Sequence, residues 1–452
     1  MALAVGLLSA CSGPFSGGGA PPDHVWRSDG YGWIVTLTGS QERTYQTTTI
    51  SCLPGKTLDR IGPPASDGSV QYGSAQVSTL ALRTRPDGRA TLRLLGTAAD
   101  IDLLPLPALP PSCSRPAPNT PVNNFDVFWQ TFAENYNSFG RKHIDWVALR
   151  NRYRPLVSED TSDKQLFKIL RQMITPLGDA HAAIEQGGDD GDSFSGVRPD
   201  TRDEDEVSRA QATKAVDKHL KRDLDVADIE TFANDRIAYA ALPDGRGYLR
   251  ITAFDGYQGK NTPFVTNSAV LRQALDAVFT EAAVRSWHGL VVDVRFNTGG
   301  DDELGLQVAG RLTDRPYVAF RKQPRNDPKD QNQHGPLRTV MVNPTEGVPH
   351  YTGPIWLLTS DLTVSSGETF VEALIGRAPA PVRIGTPTQG VFADDMERRL
   401  PNGWKFTVGN EEYFDPTGHN YEGTGVPPTV SKPVFTHDEL EQHQDSALDA
   451  AH

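Results

Sequence analysis

Gly289-Leu290-Val291-Val292-Asp293-Val294-Arg295 runs into Asn297-Thr298-Gly299-Gly300, and farther on Ile355-Trp356-Leu357-Leu358 leads to Thr363-Val364-Ser365-Ser366-Gly367-Glu368. Each stretch is a short, continuous apolar run ended by turn residues and followed by a helix-like segment. That is the signature of a strand buried on both faces in a sheet with helices around it. The two ends also complement each other chemically. A serine at a strand end is a candidate nucleophile, and a glycine loop offers backbone N–H groups to a developing oxyanion. Acyl transfer needs both held close together.

Working outward, Gly247-Tyr248-Leu249-Arg250-Ile251 and Val382-Arg383-Ile384 read as further strands. Helical patterns over 271–283, 302–312 and 368–375 alternate with them. This alternation predicts an α/β core with at least partly parallel pairing, spanning 189–435. Before it, Phe125, Phe128, Trp129, Phe132 and Tyr136 recur every three or four residues, the stripe of a packed helix. A second helix opens on the capping box Ser162-Asp163-Lys164-Gln165 and should stop at Thr175-Pro176. These two define a helical region over 123–188. Prolines 105, 107, 110, 111, 116, 118 and 121 mark 105–122 as a stiff linker. Ahead of it, 23–104 carries alternating and β-branched runs such as Trp33-Ile34-Val35-Thr36-Leu37, separated by turns such as Pro86-Asp87-Gly88. It reads as a small β domain, a barrel or a sandwich. The whole is expected to be a multidomain α/β (α+β) protein, with 436–452 an acidic polar tail.

The two strand-end motifs, Asp293 to Gly300 and Ser365 to Glu368, resemble the tail-specific (C-terminal processing) and tricorn-core serine peptidases. In that family a strand ends in Asp-x-Arg-x-Asn-x-Gly-Gly and the serine stands in Ser-x-x-Glu. The resemblance covers 123–434. It implies that Ser365 is the nucleophile of a peptide-bond hydrolase working through an acyl-enzyme. Gly299, Gly300 and the backbone N–H of Ser366 would form the oxyanion hole. Asp293 and Arg295 are expected to pair with each other and fix the strand end.

The sequence departs from the commonest form of the family in two ways. The loop that carries a lysine base in many tail-specific members reads Pro387-Thr388-Gln389-Gly390-Val391-Phe392 here, with valine at the lysine position. No segment resembles a PDZ domain. Leu177-Gly178-Asp179-Ala180-His181 instead resembles the Asp-x-His loop of the tricorn-like branch, which makes His181 the general base among the chain's 11 histidines. An unperturbed imidazole titrates near 6.5, well placed to take a proton and return it. Ala180 replaces the serine that tricorn carries before its histidine. Glu422, in Glu422-Gly423-Thr424-Gly425-Val426-Pro427, resembles the carboxylate that completes the set, with Asp179 the alternative. Two other readings stay open: a non-catalytic peptide or ligand binder on the same fold, and an esterase using the same site.

A formal net charge of −13 argues against nucleic acid or an anionic membrane surface as a partner, and the expected partner is a peptide or protein substrate. No metal or cofactor motif is recognised. Residues 1–22 resemble a lipoprotein signal and tether, with Cys11 as the lipidated residue, so the protein is expected to be exported and held at the cell envelope by acyl chains. The remaining cysteines, Cys52 and Cys113, then read as a disulfide.

Overall fold

The computed structural model describes residues 22–74, 77–188, 191–199, 201–202 and 207–451. Cys11, the glycine tether and the acidic residues 189–190 and 203–206 lie outside the described residues. Eight antiparallel strands, from His24–Ser28 to Ile101–Pro105, form a closed barrel. Trp26 sits opposite Val35 on one side and Pro105 on the other, so the first strand closes on the last and no open edge remains. Cys52 and Cys113 are disulfide-bonded, with Cα atoms 4.9 Å apart. The bridge staples the proline-rich segment to the barrel. There Leu106 and Leu109 pack on Val25, Ile34 and Tyr45, so the segment lies against the barrel wall.

The aromatic stripe forms the helix Pro121–Asn135, with Thr120 as its N-cap and proline at its first position. Phe125, Phe128, Phe132 and Tyr136 are wholly buried. The capping box of Ser162 and Gln165 opens the helix Asp163–Ile174, which stops one residue before Thr175-Pro176. A third helix, Trp146–Tyr153, lies between them. It buries only Trp146 and Tyr153, too few apolar positions to set a period in the sequence. One continuous core joins these helices to the barrel interior through Val35, Leu92 and Leu103.

The α/β core is a seven-stranded sheet. Its order is Glu230–Phe232, Ile237–Ala241, Gly247–Ile251, Leu290–Asp293, Ile355–Thr359, Val382–Gly385 and Val430–Ser431. Pairing is antiparallel across the first three strands and parallel from Gly247–Ile251 onward. Asp293 is in register with Leu358. The two parallel strands therefore end flush, and their loops leave side by side at the carboxyl edge, where sites form in open α/β sheets.

A second, four-stranded sheet joins distant parts of the chain. Ala183–Glu185, just after His181, pairs with Lys405–Gly409, which pairs with Asp395–Arg399. This sheet carries the histidine loop from the helical region onto the core.

Two stretches form helices that the sequence reading above does not give. The polar region after 207 contains the helix Arg209–Arg222, opened by a capping box of Ser208 and Gln211. Its few apolar residues, Ala212, Val216 and Leu220, are buried against the sheet. The expected polar tail instead forms the short helices His437–Gln442 and Ser446–Asp449, with Ala447, Leu448 and Ala451 buried in that same cluster. Three small apolar residues among acids carry little pattern, yet they are enough to dock a helical turn.

Candidate active site

Ser365 sits at the turn between the strand Ile355–Thr359 and the helix Ser366–Ala373, with φ 57° and ψ −127°. A non-glycine residue held there costs about 1–3 kcal/mol and persists only where its surroundings dictate it. The surroundings are specific. Thr363 Oγ1 donates to the Val294 carbonyl at 2.8 Å, and the Val364 N–H donates to the Asn297 carbonyl at 3.0 Å. Asn297 in turn donates from Nδ2 to the Ile251 carbonyl. The serine loop is thus sewn to the neighbouring strand end, in a sharp strand-to-helix turn like the nucleophile elbow of α/β-hydrolases. Ser365 remains partly exposed while Ser366 is buried. Ser366 opens the helix, so its N–H has no carbonyl a turn earlier to bond.

Gly299 and Gly300 flank the serine in different ways. The Gly299 N–H donates to Asn297 Oδ1 at 2.9 Å, which takes it out of the expected oxyanion hole. The asparagine side chain sits below its own turn and captures the nearest amide. What Gly299 contributes is space: a Cβ there would lie 2.6 Å from the Ser365 Cβ and 3.1 Å from its Oγ. Gly300, at φ 133°, is bridged to Phe254, and its carbonyl accepts from Ser366 Oγ at 2.7 Å. A Cβ on Gly300 would strike the Phe254 carbonyl oxygen at 2.3 Å. The Ser366 hydroxyl therefore clamps the glycine loop. Behind the loop, Asp293 pairs with Arg295 at 2.7 Å as expected, and Arg295 also reaches Asp445.

Glu368, three residues after the serine, bonds to the loop at Gly390 and Val391. It is fully buried and accepts from their N–H groups at 2.6 and 2.7 Å. Burial pushes its pKa up to about 7, against the lowering effect of those bonds and of Thr388. The loop it holds continues to Phe392, whose N–H donates to Glu422 Oε2 at 2.9 Å. Val391 is buried in this loop, with an apolar side chain where a lysine base would stand.

Glu422 Oε1 lies 3.4 Å from Lys142 Nζ, and Lys142 lies 3.5 Å from Asp179 Oδ2. Asp179 accepts from Tyr136 Oη at 2.6 Å and from the backbone N–H of His181 at 2.9 Å. Both candidate carboxylates thus gather around one buried lysine, and neither is hydrogen-bonded to the imidazole ring. Burial disfavours charge on His181, but Asp395, Asp179, Glu422 and the Ala393 carbonyl outweigh it, so its pKa is raised. Asp395 is the strongest of these attractions. Nδ1 of His181 is buried without a hydrogen-bond partner, and no hydrogen bond joins the ring to Ser365. The link between them is the 388–395 segment, which touches the serine loop where the Gln389 N–H donates to the Thr363 carbonyl, and reaches His181 through Ala393 and Asp395.

The sequence reading missed Lys142, Tyr136 as the partner of Asp179, and Asp395. Lys142 and Asp395 stand in polar stretches with no periodic or motif signal, and only the tertiary fold brings them to the histidine.

Residues 245–431 match the family model of peptidase family S41, and residues 118–175 match that of the tricorn protease C1 domain. No curated protein matches. Among solved structures, a peptidase-type protein of Parabacteroides merdae shares 22% identity over 74% of this chain and 96% of its own, with a TM-score of 0.60. Mature CPAF shares 13% identity over 72% of this chain and 94% of its own, with a TM-score of 0.52. At such identities the structures speak for the fold, and the two family models speak for the descent. With both models matched and the fold shared, residues 245–431 are similar to the serine peptidases of family S41 and residues 118–175 to the tricorn protease C1 domain.

Proposed function

We propose that this serine peptidase hydrolyses peptide bonds through an acyl-enzyme, with Ser365 as nucleophile and His181 as general base. The observation that carries the proposal is the Ser365 backbone, held at φ 57° beside a glycine whose missing Cβ clears the hydroxyl. In this reading Ser365 Oγ attacks the scissile carbonyl while His181 takes its proton. The N–H groups of Ser366 and Gly300 face the oxyanion, strengthened by the positive end of the following helix. His181 then returns the proton to the leaving amine, and water repeats the sequence on the ester. Asp395, Asp179 and Glu422 stabilise the imidazolium through space, with Lys142 tying the latter two together. The ring and Ser365 close to hydrogen-bond distance when substrate fills the cleft, as apo geometries commonly tighten in the complex.

The rival is a binding protein on the same fold. It draws on the unmade Ser365–His181 bond and on the Gly299 N–H already spent on Asn297. A fluorophosphonate label followed by peptide mapping separates the two. The peptidase reading expects one adduct, on Ser365, that disappears in Ser365→Ala and is strongly slowed in His181→Ala. An unlabelled wild type that cleaves no member of a broad peptide library returns the chain to the binders, and turnover of small esters without peptides makes it an esterase.

For location, we infer export with lipid attachment at Cys11. The Cys52–Cys113 disulfide suits an oxidising compartment, and among the described residues no helix is long and apolar enough to cross a membrane. Cys11→Ala should release the protein from the membrane fraction.

A further inference from the structure

The barrel carries a cavity apart from the serine loop. Where its wall meets the strand Asp395–Arg399, a cavity of about 440 Å³ opens that is lined by neither Ser365 nor His181. Trp33, Leu58, Leu92, Leu94, Ile101 and Met396 give it an apolar wall. Its volume falls in the range that accommodates a small organic ligand, and an eight-stranded barrel is about wide enough to hold one.

Among the polar groups on its lining, two are buried with bonding capacity left over. Arg398 is 2% exposed, yet among the described residues no carboxylate pairs with it. Its partners are the Glu397 carbonyl at 3.1 Å, the Tyr31 carbonyl and the Met396 sulfur, and its guanidinium lies over the Trp33 ring at 5.4 Å. A guanidinium has five N–H donors, so these leave capacity for a further acceptor. Burial alone lowers its pKa to about 9, the mark of a charge without a counter-charge. The contrast lies on the same cavity, where Lys322 is neutralised by Asp394 and Glu411, each at 2.9 Å. Glu42, 1% exposed, is the second group. Its Oε1 accepts from Thr44 Oγ1 at 2.6 Å, and its Oε2 is buried with no partner. Burial pushes its pKa up to about 7, so near neutrality part of the population carries a proton that can be donated.

We propose that this cavity binds a small amphipathic carboxylate, its apolar chain in the barrel wall and its head group on Arg398. A planar monoanion matches the guanidinium fork. A dianionic phosphate would meet Glu42, Asp394, Asp395 and Glu411 around the same space. The site does not depend on Ser365 being a nucleophile.

Isothermal titration of the full chain with decanoate tests it, with 1-decanol and decyltrimethylammonium as probes of the same chain length. The Ser365→Ala variant is used, so that turnover and occupation of the serine cannot mimic binding. Saturable decanoate binding is expected, with 1-decanol weaker by roughly tenfold or more, the worth of a charge-assisted bond. Arg398→Met should erase that preference and keep the fold, because it replaces a buried unpaired charge by an apolar side chain of similar length. Should that variant misfold, decanoate quenching of tryptophan fluorescence in the parent, lost in Trp33→Phe, localises the ligand instead. Equal affinity for decanoate and decanol, no saturation below micelle formation, or quenching that survives Trp33→Phe each overturns the proposal. So does decanoate that a peptide substrate displaces together with its quenching of Trp33.

Discussion

At Ser365 the backbone itself carries information, because a positive φ on a serine is costly and has to be enforced by the loops around it. Three expectations belong at this scale. Ser365→Ala should abolish acylation with almost no change in melting temperature, since one hydroxyl is removed and the backbone is left as it was. Ser366→Ala should leave Ser365 labelling in place but weaken it, and cost about 1 kcal/mol, because the clamp on the Gly300 carbonyl is lost. Equal loss from both variants, with matching stability, would remove the distinction between nucleophile and clamp. The third concerns pH. His181 must be neutral to act as base, and its raised pKa places the acid limb of kcat/KM above the ordinary 6.5. Asp395→Asn removes the largest favourable charge, so the limb should move to lower pH and relative activity at pH 6 should rise. A pH profile unchanged by Asp395→Asn would disconnect Asp395 from the histidine. Asp293 with Arg295, an ion pair written two positions apart, was legible in the sequence. Lys142 and Asp395 were not, since a charge acting through space from another segment leaves no local pattern. At Gly299 the structure adds what the sequence did not show, the N–H bonded to Asn297 and the space beside Ser365 that a Cβ would fill.

Among the elements, the buried parallel strands were the easiest to read, because four or five apolar residues between turn signals admit few alternatives. The helix Arg209–Arg222 was not read, since it presents charge on most of its surface and buries a narrow stripe. The four-stranded sheet was equally hidden, for its strands are three to five residues long and come from both sides of the core. Yet that sheet decides where His181 sits. The disulfide is the element whose contribution is simplest to measure. It spans 61 residues, and in the chain-entropy model a loop of that length contributes about 4 kcal/mol. Cys52→Ser/Cys113→Ser should lower stability by about 2–5 kcal/mol in urea titration, while kcat stays near wild type well below the melting temperature. A double variant as stable as wild type would mean that the packing of Leu106 and Leu109 already holds the segment.

Across the whole molecule, barrel and helices share one core, and the C-terminal helices close over the sheet. The latch is Arg295, 1% exposed, which bonds Asp293 below and Asp445 at 2.5 and 2.9 Å above. Arg295→Met leaves two buried carboxylates facing each other and should cost about 3–5 kcal/mol. Asp445→Asn keeps a hydrogen-bonding group in place and should cost about 1–2 kcal/mol. The two are compared by denaturant unfolding, and the reverse order would mean that Asp445 acts mainly as the cap of its own helix. This latch also sets a time. Arg295 and Asp445 lie 150 residues apart, and a ribosome adding 5–20 residues per second needs roughly 8–30 s to cover that distance. Through that interval the strand end beneath Gly299 and Gly300 exists without its closing partner, so the loop that frames Ser365 is among the last parts of a nascent chain to become rigid.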